Sequence, residues 1–361
     1  MTIISLDKAR AKKGMPVGWH KDLSSPDLID PHEIKKLIRK GGAESHHKLG
    51  EIYELGLVVQ PNTLTAQSWY KKAAVRGYAP SQNSLGNLFA DDGNFTEALT
   101  WLNKAANQGS AEAMYNLALL YSEAEGSVEE DLELALNWYS KSAALGFVPA
   151  QNNLGVLFDH GRGVQANLRE AIMWYTMAAD QGSSDAMYNL GVVLTPMNPG
   201  AAVHWYDKAA AQGNPSAQYN LGVLFQKGKG VPRCAKRAMG LFEKAALQGI
   251  AYAQFNLGVL LEERNKTNDK ASAASWYKQA ADQGLVLAQV NLGVMLACGV
   301  GVSLDLVDAY HWFLRANASG DAEAALNLDA MRFQMTVDQI SQAQNLAAKH
   351  LKQYGSTTGT G

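Results

Sequence analysis

Cysteine is nearly absent: Cys234 and Cys298 are the only two in 361 residues. They stand 64 residues apart and outside any metal-ligand spacing, which argues against a disulfide framework and fits a reducing compartment. Both are expected to be ordinary packed or partly exposed thiols. An excess of charge is also missing. Against 34 acidic residues stand 32 basic ones, a formal net charge of −2, which gives no electrostatic footprint for nucleic acid. No lysine-rich block marks a surface for anionic lipid. No apolar run reaches the roughly 18 residues of a membrane-spanning helix. The opening Met1 to Lys8 has no signal-peptide core and is followed by Arg10, Lys12 and Lys13. Neither membrane insertion nor export is expected, and the cytoplasm is the expected location.

Clustered chemistry is missing as well. The eight histidines are scattered, and none belongs to an H-E-x-x-H or H-x-H pattern. His46 and His47 are adjacent and, on a helix, point about 100° apart. Acidic pairs such as Glu129 with Glu130 and Glu262 with Glu263 fall at helix ends or loops, where a solvated charge is the default. A hydrolase needs a nucleophile, a base and an orienting group at one point. The sequence offers no such set, so no catalytic residue, metal site or cofactor is expected.

What is present is repetition. The string A-Q-Y-N-L-G-V-L-F from Ala217 recurs from Ser81, Ala113, Ala150, Ala186, Ala253 and Ala288, with a divergent first copy from Ser45. Its glycine falls at Gly50, Gly86, Gly155, Gly191, Gly222, Gly258 and Gly293, with Ala118 in the third place, giving spacings of 31 to 37 residues. A second string of the type W-Y-x-K-A-A-x-Q-G follows each first one, from Trp69, Trp101, Trp138, Trp174, Trp205, Leu241, Trp276 and Trp312. That period is one helical hairpin per repeat.

Each half has helical physics. In the first, Ala217, Leu221, Gly222, Leu224 and Phe225 make one apolar stripe, in which small Ala and Gly let two helices approach closely. The second helix ends at glycines such as Gly146, Gly182, Gly213, Gly249 and Gly284, suited to a left-handed residue. The recurring Trp-Tyr pairs read as packing between neighbouring repeats. G-x-G-V elements at Gly161, Gly228 and Gly299 lie between two helices and recur, so they read as turns, not phosphate-binding loops.

The ends differ from the middle, as a stack that stops in water requires. Pro31 to Lys40 reads as a polar opening helix capped by Asp30, and Thr336 to Gln353 as a polar closing one after an incomplete helix, Ala322 to Met331. The domain reading is therefore a partly disordered extension over 1–30, a solenoid of about eight repeats with capping helices over 31–354, and a disordered tail over 355–361.

Together the two strings resemble the Sel-one-like repeat (SLR) family, relatives of tetratricopeptide repeats, over about residues 43 to 353. The resemblance implies an all-α, right-handed superhelical solenoid whose first helices line a concave face. It also implies a role in assembling protein complexes, including in bacterial envelope and host-interaction pathways. A cysteine-rich branch is associated with penicillin binding, each repeat there carrying a disulfide pair; this sequence lacks those cysteines.

On that concave face the residue before leucine is Asn116, Asn153, Asn189, Asn220, Asn256 and Asn291, with Lys48 and Ser84 in the first two copies. Asparagine inside a helix costs propensity. The carboxamide either bonds to a neighbouring repeat or grips a peptide main chain, and the two are not exclusive. One residue earlier, Tyr115, Tyr188, Tyr219 and Phe255 offer amphipathic anchors. Glu54, Asp91, Glu123, Asp159, Glu262 and Glu263 outweigh Lys48 and Lys227, so a neutral or basic segment is the expected ligand. The expected function is a protein-binding scaffold of unspecified oligomeric state. A hydrolase of the penicillin-binding kind and a self-assembling structural protein are the alternatives.

Overall fold

The computed structural model describes residues 31–57, 60–123, 130–264 and 266–354. The expected extension over 1–30, the tail over 355–361, Asp30 and Glu129 lie outside the described residues. The described residues form nineteen helices and no strand. A polar helix α1 (Pro31–Lys40) opens the series. Eight hairpins follow: α2 (Gly42–Leu55) with α3 (Thr63–Ala74), α4 (Ala79–Asp91) with α5 (Phe95–Ala106), α6 (Ala111–Glu123) with α7 (Leu132–Ala144), and α8 (Val148–His160) with α9 (Leu168–Asp180). Then come α10 (Ser184–Leu194) with α11 (Pro199–Ala211), α12 (Pro215–Lys227) with α13 (Ala235–Leu247), α14 (Ala251–Glu263) with α15 (Thr267–Asp282), and α16 (Val286–Cys298) with α17 (Leu306–Ala318). The short α18 (Ala322–Arg332) and the closing α19 (Val337–Tyr354) end it. Two compact units divide after Asn189. Within each, most helices consecutive in sequence pack on one another, and α19 packs on α17.

The hairpins close by the chemistry of helix ends. Most second helices begin at an Asn or Asp whose side chain accepts a free N–H of the first turn: Asn62 from Thr65, Asn94 from Glu97, Asp131 from Leu134, Asn198 from Ala201 and Asp305 from Asp308. The capping residue's own N–H bonds back to the first helix, as Asn62 does to Tyr53 O at 2.8 Å and Asn167 to Phe158 O at 2.8 Å. One residue therefore ends the loop and starts the helix.

The core of each hairpin is a ring seated on a glycine. A Cβ built on Gly155, Gly191, Gly222, Gly258 or Gly293 would lie 2.5 to 2.7 Å from the ring of Tyr175, Tyr206, Phe242, Tyr277 or Phe313, and Gly50 lies as tightly under Tyr70. Burying a ring of this size contributes about 1.5–3 kcal/mol, so the glycine is fixed by the space the ring needs. The deepest aromatic is thus the second residue of the Trp-Tyr pair, with Tyr70, Tyr139, Tyr175 and Tyr277 almost fully buried. Most of the tryptophans sit nearer the surface, Trp312 being buried as well. Trp101 packs against Tyr70 and Ala66 of the preceding repeat, and Lys72, Lys104, Lys141 and Lys208 lie over Trp69, Trp101, Trp138 and Trp205 at 3.7 to 4.6 Å.

The G-x-G-V turns have a second task. Their first glycine ends the helix in the left-handed region, as Gly228 does at φ 67°. Their second presses on the start of the preceding repeat's second helix. A Cβ on Gly163, Gly230 or Gly301 would lie 2.5 to 2.6 Å from Leu132, Pro199 or Lys270. These turns clasp neighbouring repeats as well as reversing the chain.

Candidate functional site

The first-helix face is built differently in the two units. Up to Asn189, the asparagines expected on it are interior. Asn116, Asn153 and Asn189 are buried, as is Tyr115, while Tyr188 is half-buried. Asn116 Nδ2 donates to Asn83 Oδ1 and Asn189 Nδ2 to Asn152 Oδ1, both at 2.9 Å and both reaching the preceding repeat. Asn153 Nδ2 donates to the hydroxyls of Tyr139 at 3.4 Å and Tyr115 at 3.5 Å.

From Leu190 onward the face is more open. Tyr219, Asn220, Phe255, Asn256 and Asn291 are all half-buried. Asn220 Nδ2 donates to the Tyr206 hydroxyl at 3.1 Å, Asn256 bonds to Tyr219, and Asn291 bonds to Tyr277. The carboxamides therefore do join neighbouring repeats. Beside them lie apolar side chains that face water: Tyr252 at 54%, Leu287 at 51% and Val294 at 39% exposure. Tyr252 and Tyr219 approach with ring centroids 6.2 Å apart, and Tyr219 also meets Phe242 at 5.9 Å. The sequence reading missed Tyr252 and Leu287, which stand three residues before Phe255 and Val290 and so share their helix face.

The ring tyrosines form hydrogen-bonding hubs that the sequence reading also missed. Tyr70 donates to Glu54 Oε2 at 2.6 Å and Tyr277 to Glu262 Oε2 at 2.5 Å. Tyr139 pairs with Ser122 at 3.3 Å and Tyr206 with Thr195 at 3.4 Å, whereas the Tyr175 hydroxyl is buried near Asp159 without a hydrogen bond. Where the second helix carries Leu102 or Phe313 instead, the matching first-helix residue is Ala90 or Ala297. Each hydroxyl in the second string is thus accompanied by a polar residue four places after the glycine or Ala118, a signal present in the sequence, although the converse fails at Gln226, which accompanies Phe242. Burial pushes the hydroxyls of Tyr70, Tyr175 and Tyr277 far above the ordinary phenol range and that of Tyr139 up to about 12. Glu54 and Glu262, expected as groove charges, are engaged by these hydroxyls, whereas Asp91 and Glu263 remain exposed.

Glutamines make a third internal link. Gln82, Gln151, Gln218, Gln254 and Gln289 each donate to a carbonyl at the end of the preceding second helix, Gln82 to Ala74 O at 3.0 Å. Gln108, Gln181, Gln248 and Gln283 then donate to four of them at 2.6 to 2.9 Å. These bonds satisfy helix-end carbonyls that would otherwise lack partners.

One nucleophile, base and acid set does come together. Ser81 Oγ lies 3.0 Å from His47 Nδ1, and His47 Nε2 lies 3.4 Å from Glu51 Oε1. Ser81 has no exposed surface and joins the first two repeats. No substrate reaches its oxygen, so the trio is a structural link. Among the described residues no group of His, Cys, Asp and Glu could hold a metal ion, and no helix is long and apolar enough to cross a membrane.

These features define a class: a helical-hairpin repeat protein whose polar side chains are largely used to join one repeat to the next. The Sel1 repeat model matches residues 43–78, 79–110, 111–147, 148–183, 184–214, 215–250, 251–285 and 286–321, one match per hairpin, and the chain belongs to the Sel1 repeat family. Its fold is the SLR solenoid, generally a scaffold for protein–protein interaction. It is similar to the crystal structure of a Sel1 repeat protein from Oxalobacter formigenes, with 28% identity and a TM-score of 0.66, covering 88% of this chain and 98% of that one. It is also similar to c5321, a protective antigen of uropathogenic Escherichia coli with an SLR fold, with 27% identity and a TM-score of 0.57, covering 91% and 82%. No curated protein matches the sequence.

Proposed function

We propose that the protein is a non-catalytic adaptor that holds an extended segment of a partner protein on its first-helix face, chiefly from Leu190 onward. The observation that carries this reading is the exposed strip of Tyr252, Leu287 and Val294 beside the half-buried Tyr219, Asn220, Phe255, Asn256 and Asn291. Flat aromatic and apolar anchors next to carboxamides match an extended chain, whose side chains enter the apolar spaces while its main chain meets the amides. Within the other unit, Tyr188 is the half-buried aromatic at the matching position. The buried Tyr115, Asn116, Asn153 and Asn189 hold the repeats in register and contribute by positioning. An uncharged or basic segment is the matched ligand, because the exposed Glu263 ends a first helix of this unit and, among the described residues, its first helices carry no cluster of Lys or Arg for a terminal carboxylate.

The test is affinity capture from the native cell with the wild-type chain and a variant carrying Tyr219→Ala, Asn220→Ala, Tyr252→Ser and Leu287→Ser. Partner recovery should fall sharply while the helical circular dichroism spectrum is unchanged. Equal recovery by a folded variant removes this face from consideration.

A further inference from the structure

The near-zero net charge conceals a local imbalance. Between Asp207 and Glu243 the chain has no carboxylate, yet it has Lys208, Lys227, Lys229, Arg233, Lys236 and Arg237. The last five lie at the end of α12, in the loop that follows, and in the first turn of α13, and all five are exposed. Among the described residues none of the five pairs with a carboxylate within 4.0 Å. Arg237 instead lies over the Phe225 ring at 5.2 Å.

Two further observations show that this clustering runs against local stability. Helix α13 starts at Cys234, which makes no side-chain cap, where six other second helices start at Asn or Asp. Its first turn carries Lys236 and Arg237, although the positive end of a helix disfavours cations. The loop is also held in place. Lys229 N–H bonds to Leu224 O at 3.0 Å, Cys234 N–H bonds to Phe225 O at 2.9 Å, and Gly230 is pressed on Pro199. Charges of one sign are thus carried on a backbone held by these bonds, a pre-organised arrangement in which an anionic ligand orders little of the chain.

We propose that this loop is a second docking surface, for an acidic segment of a partner protein. Arg233 and Arg237 supply planar forks for carboxylates, and the three lysines supply point charges around them. The patch is confined to one loop with no aromatic residue from Gly228 to Gly240 on which a base could stack, which disfavours nucleic acid. Its remaining exposed residues are Gly228, Gly230, Pro232 and Ala235, with no large apolar side chain to enter a bilayer. The surface shares only Lys227 with the first-helix face and takes a ligand of opposite charge.

The test uses the full chain and a fluorescein-labelled oligoglutamate peptide, followed by fluorescence anisotropy across a salt titration. Binding should weaken as salt rises, and Lys229→Glu/Arg233→Glu/Lys236→Glu should weaken it at least about tenfold, the effect of three exposed ion pairs of ordinary strength. The neutral set Lys229→Gln/Arg233→Gln/Lys236→Gln, read with circular dichroism, should give a smaller loss without unfolding. Tyr252→Ser should bind the peptide like the wild type, which separates this surface from the first-helix face. The proposal is overturned by absent binding at low salt, or by equal binding in the charge-reversed variant. Tighter binding of a single-stranded oligonucleotide or of phosphatidylserine vesicles at the same ionic strength also overturns it. So does low-salt self-association removed by the same substitutions, because the occupant is then a second copy of the chain.

Discussion

Tyr70 and Glu54 share a hydrogen bond of 2.6 Å that joins the two helices of the first repeat, with the tyrosine ring lying directly over Gly50. The glycine makes room, the ring fills it, and the hydroxyl finds its acceptor at the far side. Removing the acceptor leaves a buried hydroxyl without its partner, which costs about 1–3 kcal/mol. Glu54→Ala should therefore speed amide exchange in α2 and α3, and adding Tyr70→Phe should recover part of the loss. Full additivity of the two substitutions refutes the coupling.

Substituting alanine for glycine should have opposite signs at two helical positions. At Gly258 the new methyl meets the Tyr277 ring at 2.6 Å, whereas at Gly240 it meets nothing within 4 Å. Gly258→Ala should destabilise by about 1–3 kcal/mol through overpacking. Gly240→Ala should stabilise by about 0.4–1 kcal/mol through the unfolded chain. Urea denaturation followed by circular dichroism measures both, and an equal sign at the two positions contradicts the packing described.

Two left-handed glycines separate backbone strain from contact. Gly213 and Gly230 have φ of 88° and 78°, but only Gly230 would press a Cβ on its neighbour, Pro199. Gly213→Ala should cost about 1–2 kcal/mol. Gly230→Ala should cost more and should loosen α11 in hydrogen exchange. Equal costs with α11 unaffected show that the loop does not clasp its neighbour.

High pH should unfold the chain through its tyrosines. Burial raises the Tyr139 hydroxyl to about 12 and several others further, so the folded state binds these protons more tightly than the unfolded one. Their contribution is complete below the ordinary tyrosine value of about 10 and is lost as pH rises from there through the folded value. The denaturation midpoint should fall above that pH with phenolate absorbance appearing at unfolding, and Tyr139→Phe should reduce the slope. Full phenolate absorbance in a still-folded chain refutes this.

A capping residue is the fifth lever on stability. Cys234 provides no side-chain acceptor at the start of α13. Cys234→Asn should therefore raise stability by about 1 kcal/mol. A denaturation midpoint that does not rise shows that the loop holds the helix start without a cap.

Much of this architecture was legible from local pattern. Pro31 to Lys40 is a helix with the bounds read from the sequence, the closing helix is displaced by one residue at each end, and Gly146, Gly182, Gly213, Gly249 and Gly284 all adopt positive φ. Such features depend on a residue's own helix or turn. Less legible were roles set by what a side chain meets a repeat away. Gln82, Gly163 and the hydroxyl of Tyr139 looked like ordinary members of a string, yet each bonds or packs across a repeat boundary, with a partner 8 to 31 residues distant in sequence. The face was partly legible for the same reason. Period placed Tyr219 and Asn220 on one stripe, but not how deeply the equivalent Tyr115 and Asn116 sink. The basic loop escaped notice because charge was weighed over the whole chain.

The clasping glycines Gly163, Gly230 and Gly301 belong to the fourth, sixth and eighth repeats and grip the third, fifth and seventh. Deleting or transplanting one hairpin strands a bare glycine on one side or a vacant seat on the other. The smallest segment that can be excised, duplicated or grafted with its seam matched is thus a tandem of two hairpins, and engineering of the array should count in fours of helices.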